Sequence, residues 1–104
     1  EKEIRKMALK IRWTDRALRN LDEIIDYLKT HWTEKETAKF FGKLENALED
    51  ISQAPERNKI SQRRPDTREY QISPQVTLFY VFDDENLTVM LIWPNKKNPD
   101  RLIP

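Results

Sequence analysis

Cysteine is absent from this chain, glycine occurs once and histidine once. The lack of cysteine removes disulfides, thiolate nucleophiles and cysteine-based metal sites together, and it suits a reducing compartment such as the cytoplasm. No apolar run approaches the roughly 20 residues that span a bilayer, and the opening Glu1-Lys2-Glu3-Ile4-Arg5-Lys6 lacks the apolar core of a secretion signal. An excess of either charge is missing too, since 19 Lys and Arg against 18 Asp and Glu leave a net +1. No overall field would hold a polyanion, so any nucleic-acid contact must rest on a local patch. These absences imply a cytoplasmic protein with no membrane segment, and no residue pattern signals a metal or a cofactor.

What the chain does have is charge in bulk, 36% of its 104 residues, together with 10% aromatics. A mean hydropathy of −0.86 approaches the range of disordered chains, but the apolar residues recur with clean periods, which argues for a compact fold. The length suits a single domain, 1–104, around one core. Within it, 1–8 reads as a flexible N-terminal extension and 94–104 as a basic C-terminal tail.

Leu9-Lys10-Ile11-Arg12-Trp13 alternates apolar with basic residues, as a half-buried strand does. Thr14 can cap a helix running from about Asp15 to about His31, whose apolar stripe would be Leu18, Leu21, Ile25, Leu28 and Trp32. Thr33-Glu34-Lys35-Glu36 has the form of a capping box, so a second helix starts almost where the first stops. Its stripe is expected to be Ala38, Phe41, Leu44, Leu48 and Ile51, with Pro55 ending it. Gly42, in the middle of that helix, implies close helix-helix packing. Residues 55 to 67 are polar and aperiodic, a long connection for a small domain. Then come three strand-like runs, Arg68 to Ser73, Val76 to Phe82 and Leu87 to Trp93, joined by short turns. The expected fold is α+β in the order β-α-α-β-β-β, an antiparallel sheet with an αα-hairpin packed on one face.

Element order, the opening Ile11-Arg12-Trp13-Thr14 with Ala17 and Leu21-Ile24-Tyr27-Leu28, the close at Pro55, Arg68-x-Tyr70-x-Ile72 and the ending Trp93-x-Asn95-x-x-Asn98-Pro99 together resemble the RelE/ParE toxin family over roughly residues 9 to 102. The resemblance implies the toxin of a bacterial type II toxin-antitoxin system, neutralised in a hetero-oligomer by a cognate antitoxin. Two modes of action come with it. ParE-like members contact a protein target, DNA gyrase. RelE-like members cut messenger RNA on the ribosome, which needs cations for the phosphorane charge and groups that move protons.

The cationic candidates are Arg63, Arg64, Arg68, Lys96 and Lys97, expected to meet at one edge where the second strand begins and the fourth ends. Such an edge would bind an acidic protein surface or, in a nuclease, would supply Arg64, Arg68, Lys96 and Lys97 as the catalytic set. RelE-like nucleases commonly carry a Tyr or His near the C-terminus, and this chain has neither after Tyr80. An exposed lysine titrates near 10.4 and is a poor substitute. The protein-binding reading is therefore preferred over the nuclease, with a non-toxic interaction domain as the remaining alternative. Phe40, adjacent to Phe41, is expected to look outward and, with Leu102 and Ile103, to border the antitoxin groove. His31 is expected to cap the first helix, and Asp83-Asp84-Glu85 to form a solvated turn with no metal.

Overall fold

The computed structural model describes residues 8–94. Strand β1 (Lys10–Trp13) leads into α1 (Asp15–His31) and α2 (Glu34–Gln53). A 3-10 turn (Pro55–Arg57) follows, then β2 (Arg68–Ser73), β3 (Val76–Phe82) and β4 (Asn86–Pro94). Both helices start where local chemistry dictates. Thr14 Oγ1 accepts from the Ala17 amide at 3.0 Å. Thr33 and Glu36 form a reciprocal box, each side chain accepting from the other's amide at 3.1 Å. These bonds satisfy amides that have no partner within the helix. At the far end of α1, His31 Nδ1 lies 3.1 Å from the Tyr27 carbonyl and the two rings stack at 4.2 Å, so this histidine finishes the helix. No helix among the described residues is long and apolar enough to cross a membrane.

The sheet order is β1-β4-β3-β2, with β2, β3 and β4 an antiparallel meander. Pairing of β1 with β4 is parallel, Lys10 to Asn86 through Trp13 to Val89, which corrects the expectation of a wholly antiparallel sheet. Short hairpins force neighbours antiparallel, but everything from α1 to β3 intervenes between β1 and β4, so no turn fixes their relative direction. What holds β1 is a set of backbone bonds at its ends: Lys10 N to Glu85 O at 2.9 Å, Thr14 N to Val89 O at 3.1 Å and Leu9 N to Ser52 O at 3.1 Å. Where β1 stops, α1 takes over the exposed border of β4. Thr14 Oγ1 donates to the Met90 carbonyl at 2.9 Å, and Asn20 Oδ1 accepts from the Ile92 amide at 3.2 Å.

The core lies between the helical hairpin and one face of the sheet: Ala17, Ile24 and Leu28 of α1, Phe40, Leu44, Ala47 and Ile51 of α2, and Ile72, Val76, Leu78, Tyr80, Leu87, Val89 and Ile92 beneath them. Of the expected helical stripes, Leu28, Leu44 and Ile51 are core and Leu21, Trp32, Phe41 and Leu48 pack against it, but the stripes centre one residue away at Ala17, Ile24, Phe40 and Ala47. Leu18 is 45% exposed while Ala17 is fully buried, and Phe40 is buried while Phe41 is only partly so. On α2 both phases share Leu44 and Ile51, and the true stripe adds small Ala47 at the crowded centre, where apolar bulk gives no clue. The outward position of Phe40 is thus corrected. Gly42 is corrected as well, for a Cβ built there meets nothing within 4 Å. Its presence reflects no close packing.

One irregularity decides how β4 is used. Phe79 pairs with Leu91 but Tyr80 pairs with Val89, leaving Met90 as an extra residue, a β-bulge. In a regular strand Leu87, Val89, Leu91 and Trp93 would share one face. The bulge flips the alternation, so Leu87 and Val89 enter the core with Ile92, while Leu91 and Trp93 join Phe79 and Thr77 on the other side.

Candidate functional site

The face of the sheet away from the helices carries a small cavity of about 190 Å³ lined by Arg16, Arg63, Arg64, Phe79, Leu91 and Trp93. Its floor is apolar, with Phe79 and Leu91 almost fully buried and Trp93 38% exposed at the rim. Its cations come from two places, the first turn of α1 and the connection between α2 and β2.

That connection is ordered by its own short polar residues. Ser61 Oγ accepts from the amides of Arg63 and Arg64 at 3.1 and 3.0 Å. The Thr67 amide and hydroxyl both donate to the Arg64 carbonyl at 2.8 Å, and Ser61 N donates to Thr67 O at 2.8 Å. Ser61 and Thr67 are buried, so the turn between them is a fixed mount and its arginines project over the sheet. The Arg63 guanidinium stands 5.2 Å from the centre of the Phe79 ring, a cation-π distance, and 3.5 Å from Glu69 Oε1. Arg64 is half-buried, and its Nε is shielded from solvent with no hydrogen-bond partner among the described residues.

Arg68 does not belong to this group. It precedes Glu69 on β2 and so points to the opposite face. There Nη1 donates to the carbonyls of Asn58 at 2.6 Å and Glu56 at 3.3 Å, and the guanidinium lies 5.6 Å from the Phe82 ring centre. Arg68 braces the segment after α2. Beside it the Tyr80 hydroxyl donates to the Pro55 carbonyl at 2.6 Å and accepts from Asn58 Nδ2 at 3.2 Å. Burial raises the Tyr80 phenol above its ordinary value, with the Asn58 bond and the Arg68 charge pulling the other way. Tyr70 is raised as well, by burial and by its hydrogen bond to Asp50 at 3.0 Å.

The anticipated meeting of β2's start with β4's end does not occur. Arg68 pairs with Tyr80, and Pro94 pairs with Val76 at the far end of β3. Alternate strands of a meander run the same way, so one begins where the other begins, and the two points are ~13 Å apart along β3. Lys96, Lys97, Leu102 and Ile103 lie outside the described residues. Of the expected basic edge, Arg63 and Arg64 line this cavity, whereas Arg16, Phe79, Leu91 and Trp93 were not anticipated as their companions. Only the Met90 bulge brings the last two alongside, and nothing in the residue pattern announces it.

Elsewhere, a groove of about 220 Å³ runs between α2 and the β2-β3 turn, lined by Trp32, Glu36, Lys39, Phe40, Lys43, Ser73 and Gln75. Phe40 reaches this groove from its buried position, in edge contact with Phe41 at 6.2 Å. Asp83 Oδ1 accepts from the amides of Glu85 and Asn86 at 2.9 and 2.8 Å, bonds that hold its carboxyl below the usual range and make the acidic corner a closed turn.

The family described as ParE toxin of type II toxin-antitoxin system, parDE, matches residues 11–99. No curated protein matches the chain. Among solved structures, the fold is similar to a protein of the chromosomal ParDE TA system from P. aeruginosa, with a TM-score of 0.71 at 14% identity over 86% of this chain and 98% of that one. It is also similar to a chain of the E. coli DinJ-YafQ toxin-antitoxin complex, with a TM-score of 0.58 at 13% identity over 85% and 93% of the respective chains. A conserved hypothetical protein from Helicobacter pylori, known from a solution structure, aligns with a TM-score of 0.56 at 17% identity over 84% and 94%.

Proposed function

This chain belongs to the ParE toxin family of type II toxin-antitoxin systems, and from that premise we propose that it arrests growth by gripping a protein target such as DNA gyrase and is silenced by a cognate antitoxin in a cytoplasmic hetero-oligomer. The observation that carries this reading is the make-up of the cavity beneath Arg63 and Arg64. It is lined by three arginines and three apolar residues. Arginine stays protonated at any physiological pH and cannot shuttle protons. Cations over a dry floor are what recognition of a protein surface uses. The two tyrosines of β2 and β3 are engaged with Asp50 and Pro55 on the helix side, and both hold their protons more tightly than usual.

Controlled expression in a bacterial host tests the proposal. The expected outcome is growth arrest with inhibited supercoiling by purified gyrase, relieved when Arg63 and Arg64 are both replaced by Ala. Arrest accompanied by cleavage of messages inside ribosomes would instead support the RelE-like alternative. Unaffected growth would support a non-toxic interaction domain.

A further inference from the structure

The cavity on the sheet's second face joins an apolar floor to three arginines, Arg16, Arg63 and Arg64. Phe79 and Leu91 form the floor, and Trp93 offers an accessible indole beside them. Of the three arginines, Arg63 already faces Glu69 and the Phe79 ring. Arg64 differs. Its backbone is fixed by Ser61 and Thr67, so the side chain is carried on a rigid base, and its Nε is shielded from water with no partner among the described residues. The shielded Nε cannot itself meet an incoming ligand, but the two Nη groups at the end of the same guanidinium plane form a fork that matches a carboxylate, whose two oxygens can accept from them side by side.

We propose that this cavity is a recognition site for an acidic peptide segment, in which one Glu or Asp carboxylate is held by Arg64 with Arg16 and a neighbouring aliphatic side chain lies on Leu91 and Trp93. The proposal rests on the reading of the chain as a protein-binding toxin and adds to it the contact chemistry of one surface. At about 190 Å³ the cavity is smaller than the roughly 300 Å³ at which small-molecule sites begin, and so it suits a side chain. A polynucleotide fits less well. Phosphate chains are held by tracks of uncompensated cations, whereas here Glu69 offsets Arg63 and the whole chain carries only +1. The apolar floor has no use for a ribose-phosphate backbone but gains from covering by an aliphatic group.

The test is a titration followed by nuclear magnetic resonance at the indole Nε1–H of Trp93, assigned by Trp93→Phe. The probes are the peptide acetyl-Leu-Glu-Leu-amide, its Gln counterpart, and a short single-stranded uridine oligonucleotide, all at the same ionic strength. The Glu peptide is expected to shift the Trp93 signal saturably while the Trp13 and Trp32 signals stay in place. The Gln peptide should bind about tenfold more weakly, the loss expected for one charge-assisted hydrogen bond. Arg64→Gln should weaken the Glu peptide by a similar factor. Equal binding of the two peptides, no saturable shift, or tighter binding of the oligonucleotide would overturn the proposal. The wild-type peptide pair decides the matter even if Arg64→Gln fails to fold. Growth arrest plays no part in this readout, so loss of the toxin reading and loss of this site would register separately.

Discussion

The two faces of this sheet are built by different rules. Against the helices, fifteen buried side chains among the described residues interlock in one core, with Ile11 and Trp13 of β1 packed against it; Leu28, Ile51, Val76, Leu78, Tyr80, Leu87 and Val89 are at zero exposure. On the other face, Phe79 and Leu91 are covered by a turn whose arginines bring charge close to buried apolar surface. The first arrangement maximises burial, the dominant stabilising term. The second leaves Arg64 Nε without a partner among the described residues and Trp93 38% exposed, and it is the face on which the proposed contact is placed. The contrast teaches that in so small a domain one side of a β-layer can carry the packing that stabilises the fold while the other sets charge beside apolar surface.

The sharpest way to break this comparison is to injure each face in turn. Leu78→Ala, in the core, should cost about 2–5 kcal/mol, whereas Arg63→Ala, half-exposed on the other face, should cost less than about 1 kcal/mol. Urea unfolding of both variants measures the difference, and equal losses would contradict the division. A smaller effect is expected at the one hydroxyl carried by the core's largest fully buried side chains. Tyr80→Phe removes the donor to the Pro55 carbonyl and should destabilise by about 1–3 kcal/mol. Its pH dependence carries a sign. Because the folded state raises the Tyr80 value, the unfolded chain loses this proton first, near pH ~10. The stabilisation is therefore complete below that pH and is lost as pH rises through the folded value. Thermal melts from neutral to alkaline pH should fall more steeply for the wild type than for Tyr80→Phe. The smallest change is a gain. Gly42→Ala meets open space on an exposed helical turn and should stabilise by up to about 1 kcal/mol, visible as a raised melting temperature.

Most of the architecture was legible because its signals are local. Thr14 and Thr33 mark the helix starts, Pro55 the end of the second helix, and the alternation in Arg68 to Ser73 and the apolar run Val76 to Phe82 define β2 and β3 with the bounds the structure shows. What escaped depends on distant parts of the chain. The parallel seat of β1 is set by bonds to Glu85, Val89 and Ser52, none of which is near it in sequence. The choice of Phe40 over Phe41 for the core turns on which flank of α2 meets the sheet, a matter of helix rotation that two adjacent aromatics leave open. At the site, the pair Arg63 and Arg64 could be read as exposed cations in an aperiodic stretch. Arg68 looked the same, yet its guanidinium is spent on the Asn58 and Glu56 carbonyls. Backbone acceptors are invisible in a residue list.

The extra residue at Met90 divides β4 into two halves with separate duties, its early part serving the interior and its late part serving the surface. Substitutions within either half would be local in effect, and so would loss of Met90 itself, since Val89 and Leu91 would keep their partners Tyr80 and Phe79. Were Met90 instead drawn into the ladder opposite Phe79, Leu91 and Trp93 would be driven inward and Ile92 outward, while the first half of the strand stayed in register. The facing of the late half therefore hangs on one residue remaining outside the hydrogen-bonded pairing.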